Sequence, residues 1–166
     1  EPGVESKSIV SYLPDANYLP TWMNIQGLLE MFEDFYNDFD IEKAKEMVGT
    51  LNLSMNSRLK TLSKGNKEKV QLILAMSRKA KVYFLDEPIG GVDPAARDFI
   101  LNTIITNYSE DATVVLSTHL ISDIERVLDE VLFLDRGQLL FHRSVDEIRE
   151  TEGKSVDQLF REVFRC

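Results

Sequence analysis

The 166-residue sequence contains one cysteine, Cys166, and no long apolar run. A single cysteine cannot form an internal disulfide bond, which favours a reducing, cytosolic setting. A membrane-spanning helix needs about 20 consecutive apolar residues, and we predict none here. The opening residues, EPGVESKS, also lack the basic and apolar regions of a signal peptide. These absences exclude a disulfide-stabilised scaffold and predict no spanning helix.

Positive charge is also scarce. The chain has 19 Lys and Arg residues against 28 Asp and Glu, for a net charge of −9. A nucleic-acid surface requires a basic stripe, so we predict no nucleic-acid partner. Apolar residues make up 43% of the chain, which is enough at this length for one compact domain with a hydrophobic core.

The first half of the chain has the apolar spacing of amphipathic helices. We predict a strand over 8–13, then helices over 21–36, 40–50 and from about Asn66 to Ala80. Thr21 is the expected N-cap of the first helix. The residues predicted to face inward are Trp22, Ile25, Leu28, Leu29, Phe32 and Phe35 in the first helix and Ile41, Ala44, Met47 and Val48 in the second.

The second half alternates short apolar runs with helical stretches. The predicted strands and helices are, in chain order, 82–85, 94–107, 113–116, 121–129 and 131–134. Uniform β-branched or aromatic runs are typical of parallel strands covered on both faces, and the strand–helix–strand order implies right-handed crossovers. A hairpin joined at Arg136-Gly137 and two helices, 144–150 and 155–164, complete the prediction.

Two adjacent carboxylates end the predicted strand in VYFLDEPIGGVD, residues 82–93. Burial disfavours charged acids, whereas ligands bind at the carboxyl ends of parallel strands. Asp86 could hold Mg²⁺, because hard cations prefer oxygen ligands. Glu87, which points to the other side of the strand, could act as a general base on water. The alternative is a strand that ends in a polar turn, with Asp86 as a cap.

Two further motifs have the same ambiguity. In LSKGN, residues 62–66, Ser63 and the backbone around Gly65 could cradle a phosphate at a helix N-terminus, or Ser63 could be an ordinary N-cap. In STHL, residues 117–120, a strand would bring His119 to the edge that holds Asp86 and Glu87, if the strands are neighbours. A lone histidine is more often structural, which is the interpretation for His142.

The order and spacing of four motifs, LSKGN, VYFLDEP, GGVDPAAR and VLSTHL, resemble the ATP-binding subunits of ABC transporters. In that family they are the signature motif, the Walker B strand, the D-loop and the switch histidine. SYLPDANYLPTWMNIQGLLEMF is similar to the glutamine-loop segment that leads into the helical subdomain, and VLFLDRGQLLFHRSVDEI to the strand–turn–strand ending. SVDQLFREVF is similar to the closing helix of drug and antibiotic exporters.

The resemblance implies a role for each motif residue. Glu87 is the catalytic base, His119 the switch and Asp86 a Mg²⁺ ligand. The residues that would contact the nucleotide are Ser63, Gly65, Asn66 and Asp93, of which Ser63 and Gly65 would contact the γ-phosphate of an ATP held mainly by the opposite subunit. ATP and Mg²⁺ are therefore the expected cofactors.

The sequence departs from the family at three places. Asp15 replaces the glutamine expected after YLP, which alters its metal and water contact; Asp15 is thus a candidate metal ligand or a cap for the turn after Pro14. Lys64 and Asn66 replace the commonest signature residues. No stretch reads G-x-x-x-x-G-K-[ST], the loop that holds the β- and γ-phosphates.

We therefore expect the chain to be the C-terminal part of a nucleotide-binding domain, with weak ATP binding alone. In the family, the phosphate-loop strand lies between the switch-histidine strand and VLFLD, so we expect a gap, an association or a rearranged sheet there. The predicted fold class is α/β, an incomplete P-loop NTPase core of the ABC type with an inserted helical subdomain. The predicted segments are 1–20 (glutamine-loop region), 21–80 (helical subdomain), 81–143 (α/β core) and 144–166 (C-terminal helices).

The function that the resemblance implies is the ATP-hydrolysing subunit of an exporter-like ABC transporter. Its partners would be a second nucleotide-binding subunit, in a head-to-tail dimer, and a transmembrane permease at the cytoplasmic face of the membrane. Two alternatives stay open. A soluble ABC-type ATPase of translation or DNA repair would carry flanking heptads, a second domain or a basic linker, and none is seen. A truncated, non-catalytic interaction module is the other.

Overall fold

The computed structural model describes residues 3–109 and 111–164. The chain divides into two compact units, Glu1–Thr118 and His119–Cys166. The fold is mixed α/β with a parallel sheet and an inserted helical region. The predicted segment boundaries at residues 20, 80 and 143 stay predictions. Among the described residues, no helix is long and apolar enough to cross a membrane.

In the first unit, a short helix α1 (Val4–Ser8) and strand β1 (Val10–Leu13) precede the helical region. That region consists of α2 (Ile25–Phe35), α3 (Ile41–Thr50), a short 3₁₀ turn (Leu59–Thr61) and α4 (Lys64–Met76). Its three α-helices begin at polar caps, as helices prefer. The caps are Asn24, Asp40 and Ser63, each of which accepts a hydrogen bond from a backbone N–H three residues later.

The prediction of Thr21 as an N-cap was wrong, because α2 begins four residues later. The Oδ1 atom of Asn24 accepts a hydrogen bond from Gly27 N at 2.9 Å. Thr21 lies in a turn before the helix, where its backbone carbonyl accepts a hydrogen bond from Lys60 N. Trp22 therefore falls outside the helix and is 72% exposed. Phe35, in the last turn of α2, is 77% exposed. Both aromatics were predicted to face inward, and both face solvent.

The three helices enclose an apolar core of their own. Its buried residues include Ile25, Leu28, Leu29, Ala44, Val48, Leu59, Val70, Ile73 and Leu74, all at 0% exposure. The inward positions predicted for α3 agree at Ala44 and Val48, and Ile41 and Met47 pack partly buried against the same core.

The sheet of the first unit has three parallel strands in the order β1-β2-β3, with β2 at Val82–Asp86 and β3 at Thr113–Ser117. Helix α5 (Pro94–Asn107) connects β2 to β3. On one face of the sheet, Tyr83 and Leu85 are buried at 0% and 2% exposure.

The opposite face carries Tyr12, Phe84 and Val115, which are in register across the three strands and are 56%, 43% and 36% exposed. The prediction that both faces are covered was therefore wrong for this face within the described residues. We call these three residues the open face.

Arg78, just after α4, joins the helical region to β1. Its guanidinium is 4% exposed and pairs with Asp38 at 2.9 Å and 3.0 Å. It also donates to Val10 O at 2.6 Å and Ser8 O at 2.8 Å, and lies 4.0 Å from the ring centre of Tyr36. A buried arginine needs such a full set of partners, and here they include one backbone carbonyl of the edge strand β1, Val10 O, and one at the end of α1, Ser8 O.

The second unit contains α6 (Ile121–Ile124), the antiparallel strands β4 (Glu130–Asp135) and β5 (Gln138–Ser144), α7 (Val145–Glu152) and α8 (Val156–Phe164). The predicted helix over 121–129 is shorter than expected, because it changes to a 3₁₀ turn at Glu125. The hairpin turns at Arg136-Gly137, as predicted, with both residues at positive φ. Phe133 packs against Phe141, Phe160 and Phe164 in the core of this unit.

Candidate functional site

Asp86 is the last residue of β2, and its register partner is Ser117, the last residue of β3. Ser117 Oγ donates to Asp86 Oδ1 at 2.5 Å and accepts from Glu87 N at 3.1 Å. Glu87 N also donates to Ser117 O at 3.1 Å. One hydroxyl therefore orients the carboxylate of Asp86 and fixes the backbone of Glu87 at the carboxyl edge of the sheet, where ligands bind in such sheets.

Sequence reasoning missed Ser117, although STHL was singled out for its histidine. The available signal was that Ser117 carries a hydroxyl group and lies at the carboxyl end of its strand, as Asp86 does. Only the register shows that the two residues are direct neighbours.

Glu87 has an unusual backbone conformation, with φ of 46°, in the left-handed region that non-glycine residues rarely adopt. The chain then turns back, because Gly90 N donates to Glu87 O at 2.9 Å. A Cβ on Gly90 would lie 3.2 Å from that carbonyl and 3.4 Å from Glu87 Oε2. Glycine at position 90 thus permits the tight turn that positions the half-buried Glu87 side chain.

Asp93 lies two residues after Gly91, whose φ is 68°, and is the N-cap of α5. Its Oδ1 accepts from Ala96 N at 3.0 Å, and Pro94 occupies the first helical turn, where proline is well tolerated. Asp93 therefore has a structural role in this chain. Its predicted contact with nucleotide stays a prediction.

Ser63 begins α4 as its N-cap, with Oγ accepting from Asn66 N at 3.3 Å. Nothing lies within 4 Å of the position that a Cβ on Gly65 would take, so the backbone of the first turn is open to a ligand. The free N–H groups of a first helical turn favour anions. This arrangement suits a phosphate. Ser63 is also an ordinary N-cap of α4, which was the alternative interpretation.

Lys64 places the start of α4 beside the loop that follows Glu87. Its Nζ would lie 3.5 Å from a Cβ on Gly91 and is 3.7 Å from Glu68 Oε1. Ser63 and Gly65 are therefore on a helix whose first residue contacts the turn between the acids and Asp93.

Asp15 follows Pro14 beyond the carboxyl end of β1. Burial raises the pKa of Glu68, and the negative charge of Asp15 raises it further, against the opposing effect of Lys64. Asn17, whose Oδ1 accepts from Leu19 N at 3.1 Å, is the residue that caps this loop. Across residues 3–109 and 111–164, no three His, Cys, Asp or Glu side chains form a metal-binding group. The assignment of Asp15 and Asp86 as metal ligands stays a prediction.

His119 is exposed and lies two residues after β3, at the start of the second compact unit. His142, assigned a structural role from sequence, pairs through Nε2 with Glu130 Oε2 at 2.6 Å across the hairpin. The switch role of His119 stays a prediction.

The chain is similar in sequence to ATP-binding proteins of other organisms. A family profile described as "AAA domain, putative AbiEii toxin, Type IV TA system" matches residues 11–122. The Bacillus subtilis "ABC transporter ATP-binding protein YtrB" is 26% identical over 145 residues, which cover 87% of this chain and 50% of YtrB. The Methanocaldococcus jannaschii "Uncharacterized ABC transporter ATP-binding protein MJ1023" is 31% identical over 150 residues, covering 87% of this chain and 57% of that protein. The chain spans about half the length of these curated relatives.

The fold has a similar counterpart among solved structures. A chain titled "Structure of ATP binding subunit of ABC transporter" superposes with a TM-score of 0.82 at 25% identity, and the match covers 96% of this chain and 70% of that one. This match confirms the predicted fold class.

Proposed function

The chain belongs to the family of ABC transporter ATP-binding subunits, and from that premise we propose that it is the catalytic part of an ATPase that drives transport. The observation that carries the proposal is the pair Asp86 and Glu87, oriented by Ser117 at the carboxyl edge of a parallel sheet. A purely structural turn would not require two adjacent acids and a strained backbone at Glu87.

In this proposal Glu87 is the general base. Its carboxylate accepts a proton from the water that attacks the γ-phosphate, a role worth roughly 10²–10⁴-fold in rate. The tight turn at Gly90 limits the freedom of the Glu87 side chain, and a base held in position loses less entropy when it reacts. His119 assists by holding the terminal phosphate or the water.

Mg²⁺ and ATP fit the residues that are present. Asp86 is half-buried, offers hard oxygen ligands and is already oriented by a hydroxyl, and Mg²⁺ commonly takes one or two carboxylates together with phosphate oxygens and water. We assign Asp86, with Asp15 as a further candidate, to the ion. Mg²⁺ would offset the negative charge of the phosphates. Ser63 and Gly65 would bind the γ-phosphate at the start of α4, and Asn66 and Asp93 would contact the nucleotide.

The proposed assembly is a head-to-tail dimer of nucleotide-binding subunits beneath a transmembrane permease of exporter type, at the cytoplasmic face of the membrane. The first unit offers the permease an aromatic groove of about 660 Å³ beside β1. Its walls include Tyr12, Pro14, Tyr18, Phe32 and Tyr36. Apolar grooves of this kind accept amphipathic helices of partners.

The test uses a chimera in which the half of YtrB not matched by this chain is joined to the N-terminus of the 166 residues. Glu87→Gln keeps size and hydrogen bonding but loses basicity, so phosphate release from Mg-ATP should fall by roughly 100-fold or more. Nucleotide affinity, measured by calorimetry, should change less than about twofold, because the amide replaces the carboxylate without altering its contacts. The matched control is Glu42→Gln, on the exposed surface of α3.

Phosphate release by the Glu87→Gln chimera near that of the unsubstituted chimera would remove Glu87 from the role of base. In the 166-residue chain alone we expect ATP binding weaker than micromolar, because no G-x-x-x-x-G-K-[ST] loop is present. Micromolar affinity of the folded chain would contradict that expectation. A chimera that binds ATP without hydrolysing it would favour the non-catalytic interaction module.

A further inference from the structure

Lys43, on α3, is a half-buried lysine that has no part in the proposed ATPase chemistry. Its Nζ donates to Met76 O at 2.9 Å and to Asn107 O at 2.6 Å. Met76 is the last residue of α4, and Asn107 is the last residue of α5. Burial lowers the pKa of Lys43 from its ordinary value of 10.5. One partly desolvated cation therefore joins the carboxyl ends of two helices.

Helices α4 and α5 lie side by side and run in the same direction. At their amino ends, Lys64 Nζ would lie 3.5 Å from a Cβ on Gly91, two residues before the N-cap Asp93. Midway along the pair, Lys69 Nζ lies 5.1 Å from the ring centre of Phe99. At their carboxyl ends both helices reach the same ammonium group. Because the helices have 13 and 14 residues, about 20 Å separates that ammonium from the amino ends.

The parallel arrangement has an electrostatic cost that Lys43 offsets. The carboxyl end of a helix carries about −0.5 of an elementary charge, and its last four C=O groups have no partner within the helix. Two parallel helices bring two such ends together, so the ends repel each other unless a cation lies between them. Lys43 supplies that cation and satisfies one carbonyl of each helix. The relative position of the two helices along their axes therefore depends on this side chain.

The amino ends of the same two helices carry residues of the proposed nucleotide site. Ser63 is the N-cap of α4 and accepts from Asn66 N at 3.3 Å. Asp93 is the N-cap of α5 and accepts from Ala96 N at 3.0 Å. Backbone hydrogen bonds link each helical turn to the next, so a shift of one helix along its axis at the carboxyl end also displaces its N-cap. The spacing of the two N-caps then changes.

We propose that Lys43 is a positioning residue for the nucleotide site, which holds the carboxyl ends of α4 and α5 and thereby fixes the offset between their N-caps, Ser63 and Asp93. It acts through the two helices and does not touch the nucleotide. The consequence for ATP rests on the proposed function, whereas the effect on the two helices needs no nucleotide. The two effects can therefore be measured separately.

The first experiment follows amide hydrogen exchange by NMR in the 166-residue chain without nucleotide. Lys43→Met nearly keeps the length of the side chain but removes the cation, so the helix ends repel and the offset fluctuates. Exchange should quicken roughly fivefold or more at Asn66 N and Ala96 N, the amides bonded to the two N-caps. Gly27 N, which is bonded to the N-cap of α2, is the internal control and should change less than about twofold.

Two further variants separate this effect from a general loss of stability. Lys43→Arg keeps the charge and the donors, so all three exchange rates should stay within about twofold of those of the unsubstituted chain. Lys45→Met, on the same helix, removes only a surface pair with Glu42 at 2.7 Å and should also leave the rates unchanged. Should Lys43→Met not fold, Lys43→Gln takes its place, because glutamine retains two donors without the charge.

Equal acceleration at all three amides would overturn the proposal, since Lys43 would then contribute only to general stability. Unchanged exchange at both Asn66 N and Ala96 N in the folded Lys43→Met chain would overturn it as well. In that case the carboxyl ends of the helices would keep their offset without the ammonium.

The second experiment uses the chimera with YtrB. Lys43→Met should raise the KM for ATP roughly fivefold and leave kcat within about twofold, because displaced N-caps weaken contacts to the nucleotide while the reacting groups stay in place. Lys43→Arg should restore the KM. An unchanged KM for Lys43→Met would overturn the assignment of Lys43 to the nucleotide site.

The two experiments distinguish the failure of this proposal from the failure of the proposed function. Faster exchange confined to Asn66 N and Ala96 N, together with a chimera that does not hydrolyse ATP, would sustain the effect of Lys43 on the helices and refute the proposed function. A chimera that hydrolyses ATP, together with equal acceleration at all three amides, would sustain the proposed function and refute the positioning role.

Discussion

The helical region and the sheet of the first unit differ in how completely they bury their apolar side chains. In the helical region, residues from all three helices meet in one core and reach 0% exposure at many positions. In the sheet, β2 buries Tyr83 and Leu85 on one side while Phe84, between them in sequence, remains 43% exposed. Within one compact unit, the first region is closed and the second is half covered.

The difference shows which region can account for its own stability. Burial of apolar area contributes about 25 cal/mol per Å² to stability. In the helical region this burial comes from contacts among the region's own residues, whereas the sheet buries its apolar side chains on one side only. The helical region should therefore tolerate isolation from other polypeptides better than the sheet does, and substitutions in the two regions should have unequal effects.

The largest effect is expected at Arg78, the joint between the two regions. Arg78→Met removes the pair with Asp38 and the bonds to Ser8 O and Val10 O, and should lower the free energy of unfolding by about 3–5 kcal/mol. Urea denaturation followed by circular dichroism measures the change. The control is Arg58→Met, at an exposed position, which should lose less than about 0.5 kcal/mol. A loss at Arg78 no greater than that of the control would mean that the two regions are not joined through the guanidinium.

A matched pair of valines tests the contrast directly. Val48→Thr places a hydroxyl in the closed core, where the side chain is 0% exposed, and should cost about 1–3 kcal/mol. Val115→Thr makes the same change on the open face, where water reaches the hydroxyl, and should cost less than about 0.5 kcal/mol. The same denaturation experiment reports both values. Equal costs would show that the open face is as dry as the core and would remove the distinction between the regions.

The smallest effect concerns Tyr18, in the groove beside β1. Burial, with a further contribution from Tyr36, raises the pKa of Tyr18 to about 12. The ordinary pKa of 10.0 applies in the unfolded chain, so the folded state holds this proton more tightly. The stabilisation is complete below pH 10 and is lost as the pH rises through about 12. Absorbance at 295 nm should show a tyrosine that ionises near pH 12, and Tyr18→Phe should remove that step. Loss of a step near pH 10.0 instead would place Tyr18 in open solvent.

Much of this architecture could be predicted from local sequence. Helix α5 has the bounds predicted for it, 94–107, as the helical stretch that separates two short apolar runs. The turn at Arg136-Gly137 was also predicted from adjacent residues alone. The closed core followed from periodicity at Ala44 and Val48, but the same reasoning extended α2 too far toward Trp22. There a bridge between Asn24 and Arg58 sets the start of the helix, and a contact between residues so distant in sequence leaves no local signal.

The open face could not be predicted, because VYFLD is apolar on both sides and such a run is read as fully covered. Coverage depends on which other segments are present, and the strand itself does not encode that. Ser117 was missed for a related reason, since its contact with Asp86 depends on strand register. The residues assigned to nucleotide and metal were found from motif order, and their roles beyond Asp93 and Ser63 as helix caps stay predictions.

The left-handed backbone at Glu87 has a consequence for how the chain would evolve under selection. A non-glycine residue in this conformation costs about 1–3 kcal/mol, whereas glycine adopts it freely. In a mutant library selected only for thermal resistance, position 87 should drift toward glycine. In a library selected for ATP turnover it should hold glutamate. The frequency of glycine at this one position would then record which selection a population had experienced.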